Sequence, residues 1–209
     1  MKRGLLAILC LFSVIFSFLY FLPADVFLSN LLASSGAEFS SIDGNGWYIK
    51  IPELTFKGVS VSDIECINRV ISINIVSGNS SIKVYPVSKR AVFSIKGLPF
   101  SVNAGDFKGE GTVYVNGFVR DNLSGDVSGK IHVENALYKG VNAGKLNVQF
   151  SYKDGEFSAD FTSSFVKGRA TGNVSKKGGD FVISGIVNLF IEGEGLSKRF
   201  KYVVAGLSL

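Results

Sequence analysis

The chain has 209 residues with a net charge of +5, and 46% of them are hydrophobic. Its 22 basic residues are scattered among 17 acidic ones with no long basic run, which argues against a nucleic-acid-binding protein. Two cysteines, Cys10 and Cys66, and the lone His132 rule out a disulfide framework and the usual His/Cys zinc sets.

Lys2 and Arg3 precede a stretch from Leu5 to Leu22 that carries no charge. As a helix it would be about 27 Å long, close to the roughly 30 Å of a bilayer's hydrocarbon core. A cleavable signal has a shorter apolar region, about 7–15 residues, followed by a small-x-small site. Here Leu22 and Ala24 straddle Pro23, and Ala33 and Ser35 lie a helical segment downstream. The expectation is a permanent transmembrane anchor over 5–22, with a cleaved signal as the alternative. Bulky Leu9 and the short apolar lead argue against lipid attachment at Cys10. The positive-inside rule makes residues 1–4 a cytoplasmic stub and sends everything beyond residue 24 to the other side. Cys66 then has no partner and is expected to be a buried small apolar residue.

From Pro23 to Gly36 the sequence "PADVFLSNLLASSG" predicts a short amphipathic juxtamembrane helix. Its apolar stripe would rest on the membrane surface or on the domain above.

From residue 37 to 209 the apolar period falls to two. "RVISINIV" alternates Ile71, Ile73 and Ile75 with polar residues, and "KLNVQFSY" does the same with Leu146, Val148, Phe150 and Tyr152. "EFSADFT" places Phe157, Ala159 and Phe161 on one side, and Asp154–Gly155 between the last two segments predicts a tight hairpin. "FKGEGTVYVNGFV" and "FVISGIVNLFI" continue the pattern through Val113, Val115, Phe181, Ile183, Val187 and Leu189. Turn signals recur throughout, with "KKGG" among them. The predicted fold is an all-β, curved antiparallel meander of about 11 to 13 strands, closing over its own apolar face as a folded-over sheet or open sandwich. Many of the 24 glycines fall on that face, Gly109, Gly111, Gly168, Gly172 and Gly185 among them, where they would permit coiling or the close approach of a facing sheet.

Catalytic and metal-binding patterns are sparse. His132 alternates with Ile131 and Val133 and so is placed on the polar side of a strand, without a nucleophile elbow anywhere in the chain. Glu192 and Glu194 read as neighbours at a strand end, and the two short Gly-x-Gly pieces lack the strand-to-helix context of a phosphate loop. Asn79, Asn122 and Asn173 begin glycosylation triplets that matter only in a eukaryotic secretory host. Lys176–Lys177 and Lys198–Arg199 are expected in solvated turns, with anionic headgroups as the alternative partner. No enzymatic activity, cofactor or nucleic-acid partner is expected.

What remains is the apolar side of the strands. Leaving it in water costs about 25 cal/mol per Å², and no helical pattern beyond residue 40 is available to cover it. Its cover would be a second sheet made by the chain itself, an acyl chain, or a partner protein. Val113, Val115, Leu146, Val148, Phe150, Phe157, Phe161, Phe181, Ile183, Val187 and Leu189 are the candidate lining of an apolar groove.

"LPADVFLSNLL", "SIDGNGWYIKIPELTFKGVSVSDI" and "INRVISINI", followed by long glycine-rich strands, resemble the type II secretion system protein N family and, more broadly, AsmA-like envelope proteins. Gly44 or Gly46, Trp47, Ile49, Leu54, Phe56, Gly58, Val59, Val61, Ile71, Ile73 and Ile75 fill the family's first three strand positions. The resemblance implies a single-pass protein of the bacterial inner membrane with a periplasmic β domain, an accessory of the secretion machinery with no catalytic residues. In that role, open strand edges or the apolar crease would dock other envelope proteins by β-augmentation. The alternative is AsmA-like lipid binding or transport, with phospholipid acyl chains in the crease, and an exported hydrolase is an outlier.

Overall fold

Alternation of period two from residue 37 onward leaves the backbone one economical solution, a ladder of strands joined by short turns. The computed structural model describes residues 23–204 apart from 24, 26, 27, 30, 31, 34, 35, 70, 139, 140, 165, 178, 179, 192 and 193. The expected anchor over 5–22, with Lys2, Arg3, Leu5 and Leu22, lies outside the described residues, as does Glu192. Among the described residues no helix is long and apolar enough to cross a membrane.

The strands are β1 (Ala37–Phe39), β2 (Asp43–Gly44), β3 (Tyr48–Phe56), β4 (Val59–Arg69), β5 (Ser72–Ser77), β6 (Ser80–Tyr85) and β7 (Arg90–Ala104). They continue as β8 (Phe107–Arg120), β9 (Gly125–Tyr138), β10 (Val141–Lys153), β11 (Glu156–Thr162), β12 (Val166–Lys177), β13 (Asp180–Ile191) and β14 (Glu194–Val204). All join one 14-stranded antiparallel sheet, in which neighbours in sequence are neighbours in space except that β1 skips to β3. Two very short strands, β1 and β2, take the number above the 11 to 13 expected. They are too brief to show an alternating pattern.

The Asp154–Gly155 hairpin forms as the sequence predicts. Lys153 pairs with Glu156, and both turn residues have positive φ, 48° and 95°. That is the type I′ geometry whose twist matches the flanking strands.

One departure from a plain meander shapes the sheet. The Arg69 end of β4 pairs with β5, but its beginning pairs directly with β7, through Val59↔Val102 and Ser60↔Ser101. The β5–β6 hairpin is therefore a wedge driven between β4 and β7 over only part of their length. Asp63, at φ 52° opposite Pro52, lies where the β3–β4 alternation changes sides, from Ile49 and Ile51 to Leu54 and Phe56. Gly97, at φ 71°, absorbs a bulge between Lys96 and Leu98 that keeps Ile95 and Leu98 on the same side.

Two basic pairs expected in turns lie in strands. Lys198 and Arg199 are within β14, paired with Val187 and Ile186. Lys176 and Lys177 end β12, paired with Phe181 and Asp180. Lys176 is no freely solvated turn residue, because its ammonium donates to Asp121 Oδ1 at 2.8 Å and lies 5.7 Å from the Phe181 ring centroid. The β8–β9 turn that carries Asp121 also receives a hydrogen bond from Tyr152 Oη at the Leu123 carbonyl. Gly125 N–H donates to Asp154 Oδ1 at 2.9 Å, so three strand ends are tied together here.

The Lys176 hydrogen bond and charge, with help from Lys89, hold the Asp121 carboxyl below its ordinary value of 3.8. A depressed carboxylate adds stability above its unfolded pKa, and that contribution is lost as pH falls through the lower folded value. Asp121→Asn is expected to melt below the parent at about pH 6, with a smaller gap at about pH 3. Thermal melts at both pH values check this, and an equal gap at the two would show that the ion pair contributes nothing.

Candidate functional site: a continuous apolar face and its cleft

Directly paired residues of an antiparallel sheet point to the same face, so the register traces that face across the molecule. One row runs Ile49, Cys66, Ile75, Ile82, Phe93, Gly117, Val127, Tyr152, Phe157, Gly172, Gly185, Phe200, from β3 to β14 without a charge. A second runs Leu98, Val113, Ile131, Val148, Phe161, Gly168, Leu189, Leu196. A third joins Ile95, Val115, Gly129, Phe150, Ala159, Ala170 and Val187, ending at Lys198. The opposite face reads Tyr114, Lys130, Gln149, Asp160, Arg169, Asn188, Ser197.

All eleven groove residues named from the sequence share the apolar face. Nine lie in these rows or, for Leu146, in the adjoining row with Val133. Phe181 and Ile183 share it by alternation within β13.

The glycines on this face have a different job from the one expected. Gly129, Gly172 and Gly185 sit under neighbouring rings rather than under a facing sheet. A Cβ at Gly129 would collide with the Phe150 ring and the Tyr114 carbonyl, and one at Gly172 would lie 2.8 Å from Phe157 Cε1. Phe157 and Phe200, on β11 and β14, lean over Gly172 and Gly185 until their ring centroids are 6.2 Å apart. Rings over glycines protect the backbone with side chains of the same layer.

Burial shows how thin that layer is. Among the described residues, the buried hydrophobic side chains are Ala37, Ile42, Ile49, Ile51, Val133, Ala136, Ala170 and Val182, and no large side chain is fully enclosed. At the β3 end, Leu28 and Leu32, the second of which has helical backbone like the first, pack on Ile42, Ile49 and Ile51. Of the two resting places open to the juxtamembrane stripe, these residues take the sheet. Cys66 belongs to the same cluster and is half-buried, which pushes its thiol pKa up. Alkylation of Cys66 at about pH 8 is expected to be at least about tenfold slower in the native protein than in denaturant. Peptide mapping by mass spectrometry distinguishes it from Cys10, and equal rates would place Cys66 in solvent.

An apolar cleft lies where the β5–β6 wedge parts β4 from β7. It has a volume of about 510 Å³ and is walled by Leu54, Phe56, Val59, Val61, Ile64, Ile75, Ile82, Ile95 and Leu98. That is within the usual range of about 300–1,000 Å³ for ligand sites. Ser77, Ser80 and Ser81 also line it; Ser77 Oγ donates to the Ser62 carbonyl at 2.8 Å, and Ser80 Oγ accepts from Lys96 N–H at 3.0 Å. At the rim, Lys57 Nζ lies 5.3 Å from the Phe56 ring centroid. The arrangement suits an apolar chain with a negatively charged head. None of the eleven groove residues lines this cleft, because the strand crossing that makes it joins segments about forty positions apart, Val59 to Val102.

His132 stands on the polar face, with Nδ1 against Asn147 Oδ1 and its ring edge-on to Tyr114. Among the described residues no three His, Cys, Asp or Glu side chains gather as a metal site. Comparison of the chain with protein-family models, curated proteins and solved structures returns no match.

Proposed function

We propose that this chain is a non-enzymatic, membrane-anchored envelope protein that holds lipid acyl chains on the apolar face of its open sheet, with the β4–β7 cleft as the principal seat. The observation that carries this is the uncharged row from Ile49 to Phe200 combined with the lack, among the described residues, of any fully enclosed large side chain. A face that wide loses free energy in water unless something covers it, as Leu28 and Leu32 do at its β3 end. Apolar side chains make up most of the cleft wall, while Lys57 supplies a rim charge for a phosphate or carboxylate head.

The test is to purify the full chain in detergent and quantify retained acyl lipid by mass spectrometry. Phospholipid or fatty acid that stays through extensive washing supports the proposal, and a lipid-free protein overturns it.

A second reading, an accessory of a type II secretion assembly at the bacterial inner membrane, draws on the sheet's unpaired edges. Among the described residues β14 is hydrogen-bonded to β13 on one side only, with Leu196, Tyr202 and Val203 exposed along it. Such an edge can accept a strand from another envelope protein. A photo-crosslinker at Ser197 that captures secretion-system components in cells would support it, and labelling of lipid alone would count against it.

A further inference from the structure

Every second turn of the meander lies at the strand end where the chain joins the sheet. Pro23, the first residue after the apolar stretch 5–22, forms a β-bridge with Asn45, just ahead of β3. Asn45 Oδ1 accepts from the N–H groups of Trp47 and Tyr48, fixing that corner. At the same end, β4 turns into β5 and β6 turns into β7.

The tips of those two hairpins are apolar and exposed. Ile71 is 68% exposed and Val87 89% exposed. Each has a cation beside it: Arg69 closes β4, and Lys89 closes the β6–β7 turn with its ammonium 3.9 Å from Asp121, at the outer limit of an ion pair. The tips stand about 10 Å apart, two strand spacings. At the far end of the sheet, Gly78–Asn79 and Gly105–Asp106 carry no apolar side chain, and the Lys57–Gly58 tip lies between Phe56 and Val59, which are less exposed at 42% and 38%. Half-buried Trp47, the sole tryptophan of the chain, sits at the same near end.

We propose that this strand end seats on a bilayer with anionic headgroups, Ile71 and Val87 entering the interfacial layer while Arg69 and Lys89 meet lipid phosphates. Exposed aliphatic tips flanked by cations and a tryptophan suit the membrane–water boundary, where apolar and charged partners lie within a few ångströms of each other. The apolar stretch before Pro23 supplies the reason for choosing a membrane over a protein partner, since it would emerge from lipid beside these tips. With the end seated, the row from Ile49 to Phe200 starts near the lipid surface and the cleft lies further out along the strands. The proposal rests on the membrane-anchored reading above and adds the orientation of the sheet.

Trp47 provides the probe. The full chain is reconstituted into vesicles of phosphatidylethanolamine and phosphatidylglycerol, with plain or brominated acyl chains, and retention is scored by flotation. The expected result is clear quenching of Trp47 emission by brominated lipid. It should fall severalfold in Ile71→Asp/Val87→Asp, whose exposed positions leave the fold and the flotation intact, and should persist in Leu98→Asp, which empties the cleft. Equal emission in both vesicle types with the chain still floating would overturn the seat and leave the anchor standing. Quenching that disappears with the cleft lipid would also overturn it, by assigning the signal to bound ligand. Failure to float would remove the anchor and the seat together, while lipid retention in detergent would test the cleft separately.

Discussion

Leu98→Asp is expected to strip the protein of bound acyl lipid. Leu98 follows the Gly97 bulge, aligns with Val113 and forms part of the cleft wall. A carboxylate there shares the cleft wall with Val59, Ile75, Ile82 and Ile95. An acyl chain lying against it would desolvate the charge without a partner, at a cost of several kcal/mol. Since about 1.4 kcal/mol is a factor of ten in affinity, retained lipid should fall at least about tenfold. Lys96→Asp, one bulge away on the exposed side, should leave the lipid-to-protein ratio unchanged. Lys57→Glu should lower retention of anionic lipids and spare neutral ones. If Leu98→Asp folds, as judged by its melting curve, and keeps its lipid, the cleft is not the seat.

Gly172→Val should be the most damaging single substitution on the apolar face. A Cβ at this position runs into the Ser184 carbonyl oxygen and lies 2.7 Å from Gly185 Cα, both backbone atoms, as well as 2.8 Å from the Phe157 ring. Backbone cannot swing aside as a side-chain tip can, so β12 and β13 must separate or Phe157 must lift off. Overpacking of this kind costs about 3 kcal/mol, which for a domain of this size lowers Tm by about 6–12 °C. Displacing Phe157 also breaks its contact with Phe200. Gly195→Ala is the matched control, because its Cβ would meet only the edge of the Phe190 ring, at an ordinary 3.6 and 3.8 Å. It should stay within about 0.5 kcal/mol of the parent. Similar melting temperatures for the two variants would mean that the rings do not need the glycines beneath them.

The two substitutions differ in how readily the sequence points to them. Gly172 could be picked out as a glycine on the apolar parity of its strand, since alternation assigns Val166, Gly168, Ala170, Gly172 and Val174 to one side. Its reason could not, because the ring above it belongs to Phe157 on β11 and the oxygen it faces to Ser184 on β13. The cleft was less visible still. Leu54, Phe56, Val59 and Val61 were legible as strand residues, yet their meeting with Ile95 and Leu98 depends on β4 reaching past a whole hairpin to β7. The basic pairs show the opposite failure. "KKGG" has the composition of a turn, but pairing with Asp180 and Phe181 extends β12 through Lys177.

Alternation, turn residues and the Asp154–Gly155 hairpin are properties of neighbouring residues, so the sequence alone determined that the chain beyond residue 37 is an antiparallel meander with one apolar side. Which strands share an edge over part of their length, where a wedge opens a cleft, and which ring lies over which glycine were decided only by tertiary structure. These depend on register between segments far apart in the chain. That register is set by the summed fit of many cross-strand pairs, and no local pattern records the sum.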